Sequence, residues 1–258
     1  MPEGDTVWQT AKRLRGLDGE IVTASDLRVP DLATTDLSGA HVVTTTSRGK
    51  HLLTRFDNGL TLHTHLRMDG HWDVQPAGTR WRRPTHTVRV VLRAGGLEAL
   101  GSDVIVDLVA SDREDALVGH LGPDLLGPDW DAAEAVRRIA AQPDVALAEA
   151  LLDQRNLAGI GNVYKCELCF LVGVDPRSAV SAVVDLPRLV DLAHRMLVAN
   201  RDRSVRVTTG DTRRGRTTWV YGRRGPCLRC GTAIVREEIG PQGQERQTWW
   251  CPRCQPPA

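Results

Sequence analysis

Two CxxC pairs near the end of the chain, Cys227/Cys230 and Cys251/Cys254, constrain the fold more than any other feature. Twenty residues separate the pairs, and each lies in turn-forming sequence, with Pro226 and Gly231 around the first and Pro252 inside the second. Four thiolates on two such knuckles suit a tetrahedral zinc ion. Four protein ligands leave no open position, so the expected Zn2+ is structural, one per chain. Disulfides compete for the same cysteines, but no basic segment followed by an apolar run opens the sequence, and the expected location is the cytoplasm, where thiols stay reduced. Cys166 and Cys169 share the spacing inside an apolar helical stretch, VYKCELCFLVGV, without a second pair, and read as buried core thiols.

The 258 residues suffice for two ordinary domains, and 41% hydrophobic content supports a buried core. No stretch approaches the roughly 18 apolar residues of a membrane span, so no membrane partner is expected. A net charge of +1 does not by itself suggest nucleic acid, yet residues 201–258 carry 12 basic against 5 acidic side chains. A local surplus of arginine on turn-rich sequence is an electrostatic footprint for phosphates, with a solvated basic face as the plainer use. Arginine has displaced lysine almost everywhere, leaving only Lys12, Lys50 and Lys165. Lys12 falls in a helical pattern and reads as surface; the other two stand out.

Apolar spacing at Val7, Ala11, Leu14 and Leu17 predicts a helix over 5–17 with Asp5 as N-cap. From Ile21 to about Leu108 the pattern is that of strands, with a hairpin turn at Asp57-Asn58-Gly59. Proline, glycine and aspartate cluster around GHLGPDLLGPDWD, marking a boundary. Helices are expected over 131–141, 145–152, 162–171 and 186–200. The organisation is α+β and multidomain: a β-rich part over 1–125, a helical part over 126–222 and a small metal module over 223–258.

Several short motifs carry chemistry. Pro2 in MPEGDTVW becomes a terminal secondary amine if Met1 is trimmed, and an α-amino group titrates near pH 8, roughly, well below lysine. Such an amine is a candidate nucleophile for a sugar carbon, beside the carboxyl of Glu3. LLDQRNLAGIGNVY sets a Gly-Ile-Gly turn between two helices with Asn162 capping the second; it serves either as a connector or as an anion site. SRGKHLL puts Lys50 at the edge of a strand beside Gly49, as a phosphate contact or as a charge that blocks edge pairing. In HTHLRMDGHW, strand alternation sets His63 and His65 on one face with no acidic or cysteine partner in view, which disfavours a metal there. Met68 at an exposed loop tip is unusual, and apolar wedges fill gaps in opened DNA stacks.

Taken together, MPEG, RGKHLL, HLRMDG, LGPDLL, LLDQRNLAGIGNVY and the closing CPRCQ resemble, in order and approximate spacing over nearly the whole chain, the formamidopyrimidine-DNA glycosylase and endonuclease VIII family, with MPEGDTVW favouring an actinobacterial endonuclease VIII subgroup. That resemblance implies an N-terminal twisted β-sandwich with flanking helices, a helix–two-turn–helix domain and a C-terminal zinc finger. It implies a bifunctional DNA glycosylase and abasic-site lyase of base excision repair, acting on oxidised bases with pyrimidines favoured. An oxidised-purine glycosylase or a catalytically weak damage-binding protein are the alternatives. Pro2 would attack C1′ of the damaged nucleotide, Glu3 would protonate the ring oxygen, Lys50 would assist strand cleavage, and Arg246 would grip the flanking phosphates and serve the second elimination. His65, His120 and Asn162 would contact the DNA backbone, and Leu66, Arg67 and Met68 would lie in the loop that fills the void. The implied partner is damaged DNA, bound by a monomer near the nucleoid without an organic cofactor. One departure is Thr6, where relatives with MPEGPE or MPELPE carry a second glutamate; Asp5 is a carboxylate at a shifted position.

Overall fold

The computed structural model describes residues 2–257. They form two compact units, one up to His120 and one from Leu121. Met1, whose removal the terminal amine requires, lies outside the described residues.

In the first unit, α1 spans Gly4–Leu14 and a single 3-10 turn, Arg15–Leu17, extends it. The N-cap is Glu3 rather than Asp5: its backbone is extended and its carbonyl accepts from the Val7 amide at 3.0 Å. The Asp5 carboxylate instead accepts from the neighbouring Thr6 N–H at 2.7 Å, from a position inside the first turn. Two antiparallel four-stranded sheets follow. β1 (Val22–Leu27), β5 (His71–Pro76), β6 (Val88–Ala94) and β7 (Leu97–Ser102) are ordered β1-β6-β7-β5, and β2 (Val42–Arg48), β3 (His51–Phe56), β4 (Leu60–His65) and β8 (Ile105–Ala110) are ordered β2-β3-β4-β8. Val7, Ala11 and Leu14 of α1 share one core with Leu52, Phe56 and Leu62 of the second sheet and Trp72, Val90, Leu92 and Ala99 of the first. Full burial of each large side chain contributes about 1.5–3 kcal/mol. The Trp72 ring fixes Gly101 opposite it, since a Cβ there would lie 3.0 Å from the indole.

The turn expected at Asp57-Asn58-Gly59 joins β3 to β4, with Gly59 at φ +79. Alternation then settles the two faces of this sheet: Leu52, Thr54 and Phe56 point to the core, while His51, Leu53 and Arg55 share the opposite face with Thr61, His63 and His65. The segment after β8, which includes the short α2 (Asp115–Val118), covers part of that polar face. There Glu114 takes a bidentate pair of hydrogen bonds from Arg55, at 2.7 and 2.5 Å, and a third from Thr61 at 2.7 Å.

The second unit holds α3 (Ala132–Ala140), α4 (Leu147–Leu152), α5 (Asn162–Val172), α6 (Leu186–Asn200) and a hairpin of β9 (Val235–Ile239) and β10 (Arg246–Trp250). Asp131 and Asp185 cap α3 and α6, each carboxylate accepting from the backbone N–H three residues on. Gly161, not Asn162, is the N-cap of α5, and Asn162 is its first helical residue. Cys166 and Cys169 are fully buried on α5, as the sequence leads one to expect, and burial pushes the Cys169 thiol far up, leaving it inert. The hairpin is no separate appendage: Cys166, Phe170 and Val220 form one apolar cluster with Cys227 and Cys251.

Residues 203–224 lack regular structure; the Asn200 side chain holds the Val207 backbone from both sides, and a second side chain anchors the stretch further on. The buried Glu167 carboxylate, on α5, accepts from the backbone amides of Trp219, Val220 and Tyr221 at 2.7–2.9 Å and from the Thr208 hydroxyl. Among the described residues no helix is long and apolar enough to cross a membrane.

Candidate active site and nucleic-acid interface

In the first unit, Pro2 is half-buried and stands one residue ahead of Glu3, whose side chain is fully buried at the head of α1. The amides of the first helical turn make that position favourable for an anion. Lys50 lies in the two-residue turn between β2 and β3 rather than on a strand edge, and Gly49 supplies the turn's positive φ of +58. That turn delivers Lys50 next to His51 and His65, in a cluster that also holds His63 and His120. His51 pairs directly with His65 across β3–β4, their rings 5.1 Å apart and edge-on, and the His120 ring meets His51 edge-on at 6.3 Å.

The histidines do have an acidic partner, contrary to the sequence reading. Asp107 lies opposite His63 in the β4–β8 ladder and its carboxylate contacts His63 Nδ1 at 2.9 Å, while His63 Nε2 contacts His51 Nδ1 at 2.8 Å. A carboxylate can only accept, so His63 carries a proton on Nδ1. With His63 neutral, its Nε2 accepts from His51 Nδ1–H, which leaves His51 Nε2 as an acceptor. These side chains are joined by hydrogen bonds rather than arranged around a cation. Burial, then the charges of His63, His65, His120 and Lys50, push His51 down to about 3; burial, then Lys50, His63 and Arg67, push His65 down to about 4.

Both groups are therefore neutral when folded and take up protons more readily when unfolded, where their value is 6.5. Stability of this unit is expected to be fully present above about pH 6.5 and to fall as the pH is lowered toward 4 and then 3. Thermal unfolding followed between pH 7 and 4 reads this slope, and His51→Gln together with His65→Gln should flatten it.

The loop after β4 is tightly made. Leu66 is buried in the core at 1% exposure, so it is no part of a wedge; Arg67, Met68 and Asp69 are exposed, and of the three Met68, at 56%, is the apolar one. The Gly70 amide donates to Leu66 O at 2.7 Å, and a Cβ on Gly70 would fall 2.3 Å from that oxygen. Arg67 adopts φ +48, and its N–H donates to His65 Nδ1 at 3.0 Å. His65 thus holds the base of the Met68 loop with one ring nitrogen and keeps Nε2–H for another acceptor.

In the second unit, the Sγ atoms of Cys227, Cys230, Cys251 and Cys254 all lie within 4.8 Å of one another, with Cys227–Cys254 at 3.9 Å and Cys230–Cys251 at 3.4 Å. Zinc–sulfur bonds of about 2.3 Å put tetrahedral sulfurs about 3.8 Å apart, so this donor set fits one structural zinc ion. Arg246, exposed at the start of β10, donates among the described residues to the nearby carbonyls of Gln244 and Glu245. Asn162 is nearly buried, and its amide nitrogen donates to Gln247 O at 2.7 Å, leaving one amide hydrogen for any other acceptor.

The sequence pattern of the formamidopyrimidine-DNA glycosylase N-terminal domain matches residues 1–104, and that of the zinc finger found in FPG and IleRS matches residues 225–257. The chain is 54% identical to a probable endonuclease 8 2 of Streptomyces coelicolor, over 99% of this chain and 94% of that one. It belongs to the formamidopyrimidine-DNA glycosylase and endonuclease VIII family. Another relative in the family is the DNA-(apurinic or apyrimidinic site) lyase Nei2 of Mycolicibacterium smegmatis, 48% identical over 99% of both chains. The fold matches that of Lactococcus lactis formamidopyrimidine-DNA glycosylase bound to DNA containing an abasic site, with TM-score 0.80 and 21% identity over 98% of this chain and 99% of that one. Within this family frame, sequence reasoning missed Asp107, His51 and His63 as a connected group. The signal was there in the HxH alternation, but the acidic partner sits 44 residues away from His63.

Proposed function

We propose that the chain is a bifunctional DNA glycosylase and abasic-site lyase of base excision repair, favouring oxidised pyrimidines and working as a monomer on nucleoid DNA in the cytoplasm. The carrying observation is Pro2 directly ahead of the buried, helix-capping Glu3, in the same unit as Lys50 and its histidine cluster. Relatives named as endonuclease 8 and as an abasic-site lyase, matched over nearly the whole chain, support the same reading.

With Met1 removed, the Pro2 nitrogen attacks C1′ of a nucleotide flipped from the stack. The bond from C1′ to the base breaks, the base leaves with the bonding pair, and the amine proton goes to it. Glu3 gives its proton to O4′ as the sugar ring opens, which leaves an iminium at C1′. The iminium acidifies the C2′ hydrogens, so loss of one expels the 3′ phosphate. Loss of the C4′ proton then expels the 5′ phosphate, and water hydrolyses the iminium to restore Pro2. Lys50 and Arg246 steady the two phosphates as their bonds break; His65, His120 and Asn162 hold the backbone. Met68, set by Arg67, occupies the space the base has left.

End-labelled duplexes carrying one oxidised pyrimidine, one oxidised purine or one abasic site, incubated with the protein and sodium borohydride, test this. A covalent adduct is expected on the abasic and pyrimidine duplexes, with 3′-phosphate ends when borohydride is omitted. Faster adduct formation on the purine duplex would reverse the lesion preference. DNA binding with no adduct on any of the three would sink the enzymatic reading.

A further inference from the structure

Lys165 is one of only three lysines in the chain and is completely buried on α5. Its Nζ donates to the Thr248 hydroxyl at 2.7 Å, and Thr248, equally buried on β10, donates in turn to the backbone carbonyl of Arg246 at 2.9 Å. The direction of this chain is forced. An ammonium has donors only, so the hydroxyl must accept from it, and the single hydroxyl hydrogen is left for the Arg246 oxygen. One turn earlier on the same helix face, Asn162 grips the Gln247 carbonyl between these two positions. Three consecutive residues of β10, beginning at Arg246, are thereby tied to α5 by charge-assisted and neutral hydrogen bonds, at the end of the hairpin next to its connecting loop.

Taking an ammonium out of water is costly, and an apolar chain of the same length would fill the space without that cost. The geometry gives the charge a use. The Arg246 side chain is exposed and meets only its own loop's carbonyls, so the placement of its guanidinium is inherited from its backbone.

We propose that Lys165 is a positioning residue that acts through Thr248 to fix the backbone of Arg246, and so governs the second elimination rather than the first chemical step. This rests on the reading of Arg246 as the phosphate grip for that elimination. Pro2, Glu3 and Lys50 belong to the other unit.

The test measures the ratio of δ- to β-eliminated ends on abasic-site DNA, alongside the borohydride-trapping rate, zinc content and thermal midpoint, in the full-length zinc-loaded protein. Lys165→Met and Thr248→Val are each expected to lower the δ-to-β ratio about tenfold or more, the scale of a misplaced catalytic group, with trapping within about twofold of the parent. Thr248→Ser keeps the hydroxyl and should retain the parent ratio. The Lys165→Met/Thr248→Val double variant should be no worse than either single one, because one chain has been cut twice. Should Lys165→Met not fold, the Thr248→Val and Thr248→Ser pair decides alone. An Arg246→Ala control separates the two readings. If it leaves the ratio unchanged, the role given to Arg246 is what has failed. If it lowers the ratio while Thr248→Val does not, Lys165 and Thr248 position nothing and the inference is overturned. A parallel loss of ratio, trapping and thermal midpoint in Thr248→Val would also overturn it, by reducing the link to general stability.

Discussion

A chain extended by even one residue ahead of Pro2 is expected to form no borohydride-trapped adduct with abasic-site DNA, whereas a chain trimmed to Pro2 forms it readily. The extension turns the proline nitrogen into a tertiary amide whose lone pair is delocalised into the carbonyl, so it can neither attack C1′ nor become an iminium. The lyase rate should fall by on the order of a thousandfold or more, as when a covalent nucleophile is removed. DNA affinity should change little, because Lys50, His65, Asn162 and Arg246 are untouched. Intact-mass measurement confirms which terminus is present, and peptide mapping of the adduct identifies the attached residue. An adduct of undiminished yield with the extended chain would move the nucleophile to a side-chain amine, with Lys50 the first candidate.

Removal of the zinc carries the second large effect. Cys227 and Cys251 are part of the apolar cluster that joins the hairpin to Cys166 and Phe170, and Trp250 beside them is buried. Metal loss removes the centre that ties the two knuckles to each other, leaving each with its own local hydrogen bonds, such as Gly231 N–H to Cys227 O and Gln255 N–H to Cys251 O. Structural zinc sites contribute on the order of 10 kcal/mol to folding at neutral pH, more than this small hairpin can recover from its own contacts. A strong chelator, or Cys251→Ser, is expected to release one zinc per chain, shift the emission of Trp249 and Trp250 toward that of exposed indole, and weaken DNA binding at least about tenfold. The last effect follows because Arg246 is on β10 and Asn162, at the start of α5, is held by the Gln247 carbonyl of that strand. An unchanged thermal midpoint after quantitative zinc release would overturn the structural role.

What was legible in the sequence was whatever depends on spacing along the chain. The cysteine pairs, the Asp57–Gly59 turn and the helices expected over 131–141 and 186–200 are local patterns, and they stand where their chemistry puts them. The N-cap of α1 was misjudged because Asp and Asn are good caps in general, yet Asp5 has the Thr6 amide within closer reach and the chain turns helical before it. Leu66 looked like part of an exposed tip from its neighbours Arg67 and Met68, but the alternation of β4 runs on through it, so it joins Leu62 on the core face. The Asp107–His63–His51 chain needs the pairing of β4 with β8, and the Lys165–Thr248 link bridges 83 positions. Neither can be read from a local window, because each is made by tertiary packing that no periodicity encodes.

Glu167 holds the far end of the arginine-rich loop through three consecutive main-chain amides, and the near end through the Thr208 hydroxyl. An anchor that recognises N–H groups is indifferent to the side chains those residues carry, since every residue but proline offers the same donor. The arginine-rich loop from 209 to 216 can therefore exchange its surface chemistry, charge included, while its two ends remain moored. Variation in what this loop touches is thus uncoupled from whether the unit folds, which makes it the part of the molecule where a new preference can be written at least structural cost.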